Sequence, residues 1–429
     1  MSFPNKRVLV LSNNVLSTQN NNGKTLLSFF KNLPKENLFQ LYFSSEPPDL
    51  SLACKYYRIS DNDVINSQFF ARKKKHRNCE RAEENGNTEK KTSDFWRNAL
   101  KLAKASDFVR IVRELLWKAA TIDYKSLEAW VNSVNPDVIF FCAGDSAFAY
   151  DIYEKVCKLK PAAKKVVYVT DDYIMPRRKI SPFWWIRRNT IYKKMRLCVG
   201  RSDVFLTISK EMKLEYKKKF GKDSINIFNM TTNLKSKSFE KTERDDLILT
   251  YAGGLHFNRW KTLRGLGLAI KKFNDLNGRC VILKIYSHQN LNNKIVSSLN
   301  VDGATKFCGS LSSNEVKFEL NDADILVHVE SFSVESMEST RFSISTKIAE
   351  YLSVEKCILA IGPANIASMS FLRDSAFCIN EINDMDADVD SFLKTWRDLS
   401  FKNELPSLIQ SQHLFEDTLF LGNEDIVLN

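Results

Sequence analysis

The sequence predicts an α/β protein built from two doubly wound, Rossmann-like domains. Strand-like apolar runs alternate with amphipathic helical segments along most of the chain, which is the pattern of parallel sheets covered by helices. The alternation stops at a polar stretch and begins again at Leu247, which indicates two separate sheets. At 429 residues the chain is also too long for one compact core. We therefore expect two domains that face each other across a cleft.

The first domain is predicted over residues 1–232. Its predicted strands are Lys6–Leu11, Leu38–Phe43, Val138–Cys142, Lys165–Val169, Ser202–Ser209 and Ile225–Met230. Its predicted helices include Leu26–Leu33, two helices within Asp94–Trp130, and the aromatic and basic segment Pro182–Lys194. Residues 72–93 are strongly charged and poor in apolar side chains, so we interpret them as a mobile surface insertion.

A polar linker is predicted at 233–245, followed by the second domain at 246–429. The predicted strands of this domain are Leu247–Ala252, Cys280–Tyr286, the short extended segment Lys306–Leu311, Ile325–Val329 and Cys357–Ile361. Its predicted helices include Thr262–Phe273 and Ser313–Leu320. The last helices of the chain are candidates to cross back to the first domain.

The stretch Ser343–Pro363 is the strongest candidate for an anion site. It reads as a polar turn, a short helix and a buried strand, with Ser345 and Thr346 as good helix caps. Free amides at a helix N-terminus favour a phosphate, and Lys347 in the first turn adds a full positive charge. Glu350, one turn further on, could accept from a ribose hydroxyl. Taken alone, the segment also fits an ordinary capped helix with surface charges.

Two further sets of residues are candidates in the first half. Gly23-Lys24-Thr25 invites a P-loop interpretation, but the first glycine of that motif is missing because position 18 is Thr. We interpret the loop instead as one that lets a substrate approach Gly23. Asp171 and Asp172 follow a predicted strand, where open parallel sheets bind ligands, although a carboxylate that caps a turn fits equally well.

The net charge of +12 indicates nucleic acid, an anionic membrane surface or a phosphate-rich substrate as partner. Nucleic acid is the weakest of the three, because no zinc-finger spacing or aromatic RNA-binding signature accompanies the charge. Pro182–Lys194 mixes aromatic side chains with cations, which suits either a lipid interface or a core helix with a solvated basic side. Without a long apolar run or a signal peptide, we expect a cytoplasmic protein, peripheral at the cytoplasmic face of the inner membrane if it binds lipid.

Several short motifs follow one another in a specific order. They are Asn21-Asn22-Gly23-Lys24-Thr25, Ile208-Ser209 with Met212, Tyr216 and Phe220-Gly221, Tyr251-Ala252-Gly253-Gly254-Leu255 with Arg259-Trp260-Lys261-Thr262-Leu263, Phe307-Cys308-Gly309-Ser310-Leu311 with Ala323-Asp324, and Ser345-Thr346-Lys347-Ile348-Ala349-Glu350-Tyr351-Leu352. In this order they resemble the GT-B glycosyltransferases, in particular the retaining, nucleotide-sugar-dependent group of bacterial polysaccharide biosynthesis. The resemblance covers nearly the whole chain.

The resemblance implies a donor site that binds a nucleotide-sugar without a metal or other cofactor. The donor-binding residues that it implies are Gly23, Lys24, Gly253, Gly254, Arg259, Lys261, Gly309, Ser310, Leu311, Ser345, Thr346, Lys347 and Glu350. Arg259 would neutralise the departing diphosphate, and Asp171 and Asp172 would complete the catalytic set near the reacting sugar. The acceptor would be a saccharide or a lipid-linked molecule.

The expected activity is sugar transfer in the synthesis of a surface polysaccharide such as capsule, O-antigen or exopolysaccharide. Alternatives are a GT-B nucleotide-sugar epimerase and a catalytically silent GT-B scaffold protein. The family often carries two glutamates separated by seven residues, a spacing that Glu330 and Glu338 share. We interpret that pair as coincidental, because the glutamate of the Glu-Tyr-Leu helix is Glu350 and Phe342 occupies the position of its partner. Retention of configuration is therefore implied by the resemblance alone.

Overall fold

The chain forms two compact units in a computed structural model that describes residues 6–18, 21–49, 52, 55–69, 78–79, 106–228, 245–289, 291–401 and 405–420. The first unit is residues 1–227 with 414–429, and the second is residues 228–413. The predicted linker 233–245 lies outside the described residues except for Asp245, and of the predicted insertion 72–93 only Asn78–Cys79 is described.

The first unit contains an eight-stranded sheet. Its strands are β1 (Val8–Ser12), β2 (Leu38–Tyr42), β3 (Lys55–Arg58), β4 (Asn78–Cys79), β5 (Val138–Ala143), β6 (Lys164–Val169), β7 (Val204–Thr207) and β8 (Ile225–Asn226). They lie in the order β4-β3-β2-β1-β5-β6-β7-β8, and all neighbours are parallel except β3 and β4. The helices are α1 (Asn21–Phe29), α2 (Asp61–Phe69), α3 (Asp107–Ala119), α4 (Tyr124–Val134), α5 (Ala147–Leu159), α6 (Pro182–Arg201) and α7 (Lys210–Phe220).

The second unit contains a six-stranded, fully parallel sheet. Its strands are β9 (Leu247–Ala252), β10 (Val281–Tyr286), β11 (Thr305–Gly309), β12 (Ile325–Val329), β13 (Cys357–Ile361) and β14 (Phe377–Ile379), in the order β11-β10-β9-β12-β13-β14. Its helices are α8 (Arg259–Asn277), α9 (Asn293–Leu299), α10 (Ser313–Asp322), α11 (Val334–Thr340), α12 (Thr346–Val354), α13 (Ala367–Leu372) and α14 (Met385–Thr395).

Alternate residues of the second sheet pack into two separate cores. Val327 and Leu359 belong to the core under α8 and α14, whereas Leu326, Ile358 and Ala360 belong to the core under α10, α12 and α13. Both faces of the strands are therefore buried, which explains why they read as continuous apolar runs in the sequence. The last helix, α15 (Leu405–Phe420), begins in the second unit and ends in the first, where Phe415 packs against Phe29 and Phe30.

In each sheet the strand order reverses once, between β1 and β5 in the first unit and between β9 and β12 in the second. Loops on the two sides of such a reversal diverge at the carboxyl ends of the strands and leave a crevice there. This topology places the segments after β9 and β12 at the crevice of the second unit. The N-termini of α8 and α12 lie at the same edge, because each helix runs back between two parallel strands.

Gly23 lies in α1 where the helix crosses the loop that follows β1. A Cβ atom at this position would lie 2.3 Å from the Val15 carbonyl oxygen and 2.9 Å from the Ser17 amide nitrogen. Both of these atoms belong to the backbone, which cannot move aside as a flexible side chain can. Gly23 is therefore required by the packing of α1 on its own loop.

We predict that Gly23→Ala lowers the free energy of unfolding by about 1–3 kcal/mol, because the added methyl group overpacks this contact. Gly200→Ala is the matched control, since Gly200 lies in α6 with nothing within 4 Å of its Cβ position. Alanine should stabilise that helix by up to about 1 kcal/mol. Urea denaturation of the two variants measures the difference, and an equal effect of both substitutions would contradict the steric explanation.

Candidate functional site

The crevice of the second unit contains a buried ion pair between Arg259 and Glu330. Arg259 is the first residue of α8 and Glu330 directly follows β12, so the pair joins the two sides of the reversal in strand order. Nη2 of Arg259 lies 2.8 and 2.9 Å from the two carboxylate oxygens, and Nε lies 3.1 Å from Oε2. The side chains are only 12% and 2% exposed. This bidentate geometry fixes the plane of the guanidinium group.

Charge on both partners is maintained despite burial. Burial opposes ionisation of Glu330, but Arg259 and then His328 outweigh it and hold the pKa of Glu330 below its usual range. The pKa of Arg259 is raised because Glu330 and Tyr251 offset the effect of burial. The site therefore holds a salt bridge rather than two neutral groups.

The loop before Arg259 adopts an unusual backbone conformation. Phe257 and Asn258 have φ angles of 57° and 60°, which is the left-handed region that side chains other than glycine rarely adopt. Ser336 Oγ donates to the Phe257 carbonyl oxygen at 2.8 Å, and Asn258 Nδ2 lies 3.4 Å from Ser333 Oγ. Contacts with the segment after β12 thus hold the loop in this conformation and direct Arg259 into the crevice.

His256 lies on the exposed side of Arg259. Its Nε2 is 3.3 Å from Nη1 of Arg259, and its Nδ1 is 3.1 Å from Nε2 of Gln289. Burial and then the Arg259 charge lower the pKa of His256, which keeps the imidazole neutral at physiological pH. A neutral ring nitrogen can accept from Arg259 without repelling it.

The N-terminus of α12 differs in part from the predicted anion site. The amide of Ser345 is already used, because it donates to Ser368 Oγ at 3.1 Å. Lys347 and Glu350 contact each other at 2.7 Å and are 26% and 15% exposed. The hydroxyl of Tyr351 accepts from the amide of Ala252 at 3.1 Å, which fixes α12 beside the end of β9. The predicted role of the Ser345 amide would therefore require it to leave Ser368, whereas Lys347 and Glu350 lie where a ligand of the crevice could reach them.

The remaining predicted donor residues lie in the loops at the same edge of the second sheet. Gly253 and Gly254 directly follow β9, and the Gly254 carbonyl oxygen accepts from the Tyr251 hydroxyl at 2.7 Å. Lys261 is exposed in the first turn of α8, Gly309 ends β11 with a φ angle of 81°, and Ser310 and Leu311 follow it. Thr346 is the first residue of α12.

Asp172, in the first unit, is a structural carboxylate. It is buried, and its Oδ1 accepts from the amides of Ile174 and Met175 at 3.1 and 3.0 Å and from the Tyr216 hydroxyl at 3.0 Å. Burial, together with the adjacent Asp172 charge, raises the pKa of Tyr216 well above its usual range, so that the phenol stays protonated and donates. The geometry thus supports the turn-capping alternative for Asp172, and its assignment to the catalytic set stays a prediction. Asp171 is partly exposed and remains a candidate.

The surroundings of Gly23 also differ from the predicted approach of a substrate to this residue. The Cβ direction of this residue is filled by the loop after β1, so the glycine accommodates the protein's own backbone rather than a substrate. Lys24 follows it in α1 and is partly exposed.

A cavity of about 330 Å³ in the first unit lies between the C-terminal halves of α5 and α6, away from the carboxyl edge of the sheet. Two of its lining cations contact lining carboxylates, Arg201 with Glu154 at 2.6 Å and Lys194 with Asp151. Among the described residues no group of three His, Cys, Asp or Glu side chains could hold a metal ion.

The structure is similar to several solved structures. An apo structure of OtsA matches with a TM-score of 0.53 at 9% identity, covering 96% of this chain and 95% of that chain. A trehalose-6-phosphate structure from E. coli bound with UDP-2-fluoro glucose matches with a TM-score of 0.54 at 9% identity and the same coverage. An α,α-trehalose 6-phosphate synthase from Burkholderia multivorans matches with a TM-score of 0.52 at 9% identity, covering 96% and 95%. No protein-family model and no curated protein matches the sequence.

These similarities extend over nearly the whole length of both chains and show that the protein has the GT-B fold. The fold predicted from the motif order is therefore confirmed.

Sequence reasoning missed the importance of Glu330. The available signal was its position directly after a buried strand, on the far side of the reversal from Arg259.

We predict that Asp172→Ala lowers the free energy of unfolding by about 3 kcal/mol, because two amides and the Tyr216 hydroxyl lose their acceptor in a buried turn. The adjacent Asp171→Ala is the control, and we expect a loss below about 1 kcal/mol because Asp171 is partly exposed. Urea denaturation monitored by fluorescence compares the two. Equal losses would contradict the distinction between a buried structural carboxylate and a partly exposed one.

Proposed function

We propose that the protein is a glycosyltransferase that transfers a sugar from a nucleotide-sugar donor to a saccharide or lipid-linked acceptor. The observation that carries the proposal is the oriented Arg259 at the strand-order reversal, at the same sheet edge as Lys347 at the start of α12. Two cations at the crevice of a Rossmann-like unit suit the phosphates of a nucleotide. One structure with the same fold is bound with UDP-2-fluoro glucose, which supports this class of donor.

In the proposed reaction, the bond between the anomeric carbon and the phosphate oxygen breaks as the acceptor oxygen bonds to that carbon. The departing diphosphate gains negative charge, and fixed cations that are already in position stabilise it most effectively. Arg259 and Lys347 would supply this stabilisation in place of a metal ion. The acceptor proton leaves with the nucleoside diphosphate or passes to a base, for which Asp171 remains the candidate in the first unit. We include retention of configuration in the proposal because the motif order resembles that of retaining enzymes.

Lys347 and Glu350 would change partners when the donor binds. Without a ligand they contact each other across one helical turn, at 2.7 Å. A partly exposed pair of this kind is worth little to stability, so separating it costs little. Lys347 could then contact the donor phosphate, and Glu350 could accept from the ribose hydroxyls. A catalytically silent scaffold protein would not need an ion pair at the start of α12 whose partners can separate when a ligand binds.

We predict that one or more nucleotide-sugars of a standard panel raise the melting temperature of the protein. A donor at 100 times its Kd adds about 2.7 kcal/mol of stability. Lys347→Met and Glu350→Gln should each remove most of this shift. Lys394→Met is the matched control, because Lys394 and Asp390 form an exposed helical ion pair of the same 2.7 Å length in α14. If no nucleotide-sugar stabilises the wild-type protein, the proposed function is contradicted.

An anionic membrane surface is the partner that we propose for the first unit. Three charged side chains of α3 have partners within the protein: Arg110 contacts Asp145 at 2.6 Å, Arg113 contacts Asp61 at 2.8 Å, and Glu114 accepts from the N-terminal amides of α5. Its apolar side chains Phe108 and Leu115, in contrast, are 52% and 59% exposed. The helix thus exposes large apolar side chains at the surface, although Trp117 on the same helix is buried.

The first turns of α6 extend this apolar surface. Phe108 packs against Phe183 with ring centroids 5.2 Å apart, and further exposed apolar side chains are Val112, Ile180, Trp185 and Ile186. Exposed lysines on these elements are Lys118, Lys179 and Lys193. Apolar and aromatic side chains flanked by lysines suit the interface of an anionic bilayer. Among the described helices none is long and apolar enough to cross a membrane.

This surface lies on elements that begin at the carboxyl edge of the first sheet, because α6 returns from that edge to the start of β7. It would therefore hold a lipid-linked acceptor at the edge of the sheet where ligands bind. Together with the donor site, it supports a role in the synthesis of a surface polysaccharide.

We predict that the protein floats with vesicles of phosphatidylcholine containing phosphatidylglycerol and that 0.5 M salt weakens this binding. Phe108→Ser with Leu115→Ser should reduce the partition coefficient at least tenfold, since each buried side chain is worth about 1.5–3 kcal/mol. Leu214→Ser with Leu276→Ser removes two equally exposed leucines elsewhere and should leave binding unchanged. Failure of the wild-type protein to float with anionic vesicles would contradict the membrane proposal.

A further inference from the structure

We infer that Glu330 is a positioning residue for Arg259, and that the orientation it imposes allows Arg259 to bind the phosphates of a diphosphate ligand. The inference rests on the proposed function for the class of ligand. It goes beyond that function by naming a second residue on which donor binding depends. Neither the motif order nor the spacing of the glutamates assigns this role to Glu330.

One nitrogen of the guanidinium group, Nη1, takes no part in the contact with Glu330. Glu330 occupies the edge formed by Nε and Nη2, with contacts of 2.8 to 3.1 Å. Nη1 points away from Glu330, toward Nε2 of the exposed His256 at 3.3 Å. A guanidinium group that is held along one edge presents its remaining N–H groups in a fixed direction. That direction is toward the loop after β9, at the mouth of the crevice.

Glu330 is itself held rigidly. Its amide donates to the Ile361 carbonyl oxygen at 2.8 Å, and its carbonyl oxygen accepts from Thr262 Oγ1 at 2.9 Å. On the side of β13, the Cβ position of Gly362 lies 2.8 Å from the Cβ of Glu330, so that only glycine fits there without a shift. Nε2 of His328 lies 3.5 Å from Oε1. The carboxylate therefore acts as a fixed support for Arg259.

Pairing with Glu330 also changes how Arg259 can attract and bind an anion. Because Glu330 is ionised, the pair carries almost no net charge, and its attraction for a distant anion is weak. Binding must then come from short, directed hydrogen bonds from Nη1. A lysine at position 259 keeps the charge but lacks the planar fork, so it should bind as poorly as an arginine that has lost its support.

Inorganic pyrophosphate is the probe, because it carries the diphosphate that nucleotide-sugars share. Isothermal titration calorimetry compares the wild-type protein with Glu330→Gln, Arg259→Lys and the double variant. We expect each single substitution to weaken binding about tenfold or more, and the double variant to bind no more weakly than Arg259→Lys. Glu319→Gln is the matched control, because it breaks the Lys284–Glu319 ion pair of the same unit at 3.1 Å and should leave binding unchanged. Circular dichroism confirms that each variant is folded.

A second measurement follows Arg259 itself. In ¹⁵N-labelled protein, the Nε–H resonance of Arg259 is identified as the one that is missing from the spectrum of Arg259→Lys. This proton should exchange slowly with water in the wild type and in Glu319→Gln, and rapidly in Glu330→Gln.

Pyrophosphate binding by Glu330→Gln within about twofold of wild type would overturn the inference while leaving the proposed function intact. If the wild-type protein binds neither pyrophosphate nor any nucleotide-sugar, the proposed function and the phosphate-binding role of Arg259 fall together. The exchange rates then decide the positioning role alone, and equal rates in wild type and Glu330→Gln would overturn it.

Discussion

The Arg259–Glu330 ion pair is the interaction on which the candidate site depends. It joins the segment after β9 to the segment after β12, the two chain segments that diverge at the reversal of strand order. Removing one partner of a buried pair costs about 3–5 kcal/mol, because the other charge stays buried without compensation. The pair therefore has a structural task, and under the proposed function the same contact also orients Arg259 toward the ligand. The left-handed residues Phe257 and Asn258 are held in place by contacts with the segment after β12 as well.

The two cation–carboxylate pairs of the candidate site differ in burial, and this difference gives them different parts in the proposed reaction. Glu330 is almost fully buried and cannot leave Arg259 without a large desolvation penalty. Lys347 and Glu350 are partly exposed, so water can replace either partner at small cost. One cation is thus fixed before the ligand arrives, and the other becomes available when the ligand binds. A preformed cation needs no rearrangement as charge develops, whereas an exchangeable one makes binding depend on the presence of the correct ligand.

In the first unit α3 exposes large apolar side chains, while several of its charged side chains contact neighbouring elements. Asp145 at the end of β5 contacts Arg110, and the carboxylate of Glu114 caps the N-terminus of α5. These contacts pair the charged side chains with neighbouring elements, while Phe108 and Leu115 lie at the surface. The pKa of Glu114 is raised, because burial outweighs the two amides that donate to the carboxylate. The apolar surface therefore lies on a helix whose charged side chains contact other elements of the unit.

The sequence by itself determined the two alternations of strand and helix, the positions of most strands, and the order of motifs that predicts the GT-B fold. These features are local: an apolar run of five residues or a capping serine carries its own signal, whatever lies far away in the chain. Only the tertiary structure decided which charged side chains meet. Arg259 and Glu330 are 71 residues apart, and Asp172 accepts from Tyr216 at a separation of 44 residues. No local pattern records such a contact, because the partner is chosen by strand order. The same holds for Gly23, whose neighbour is a loop that folds back on it, and for α3, whose charged side chains meet partners at the ends of other elements.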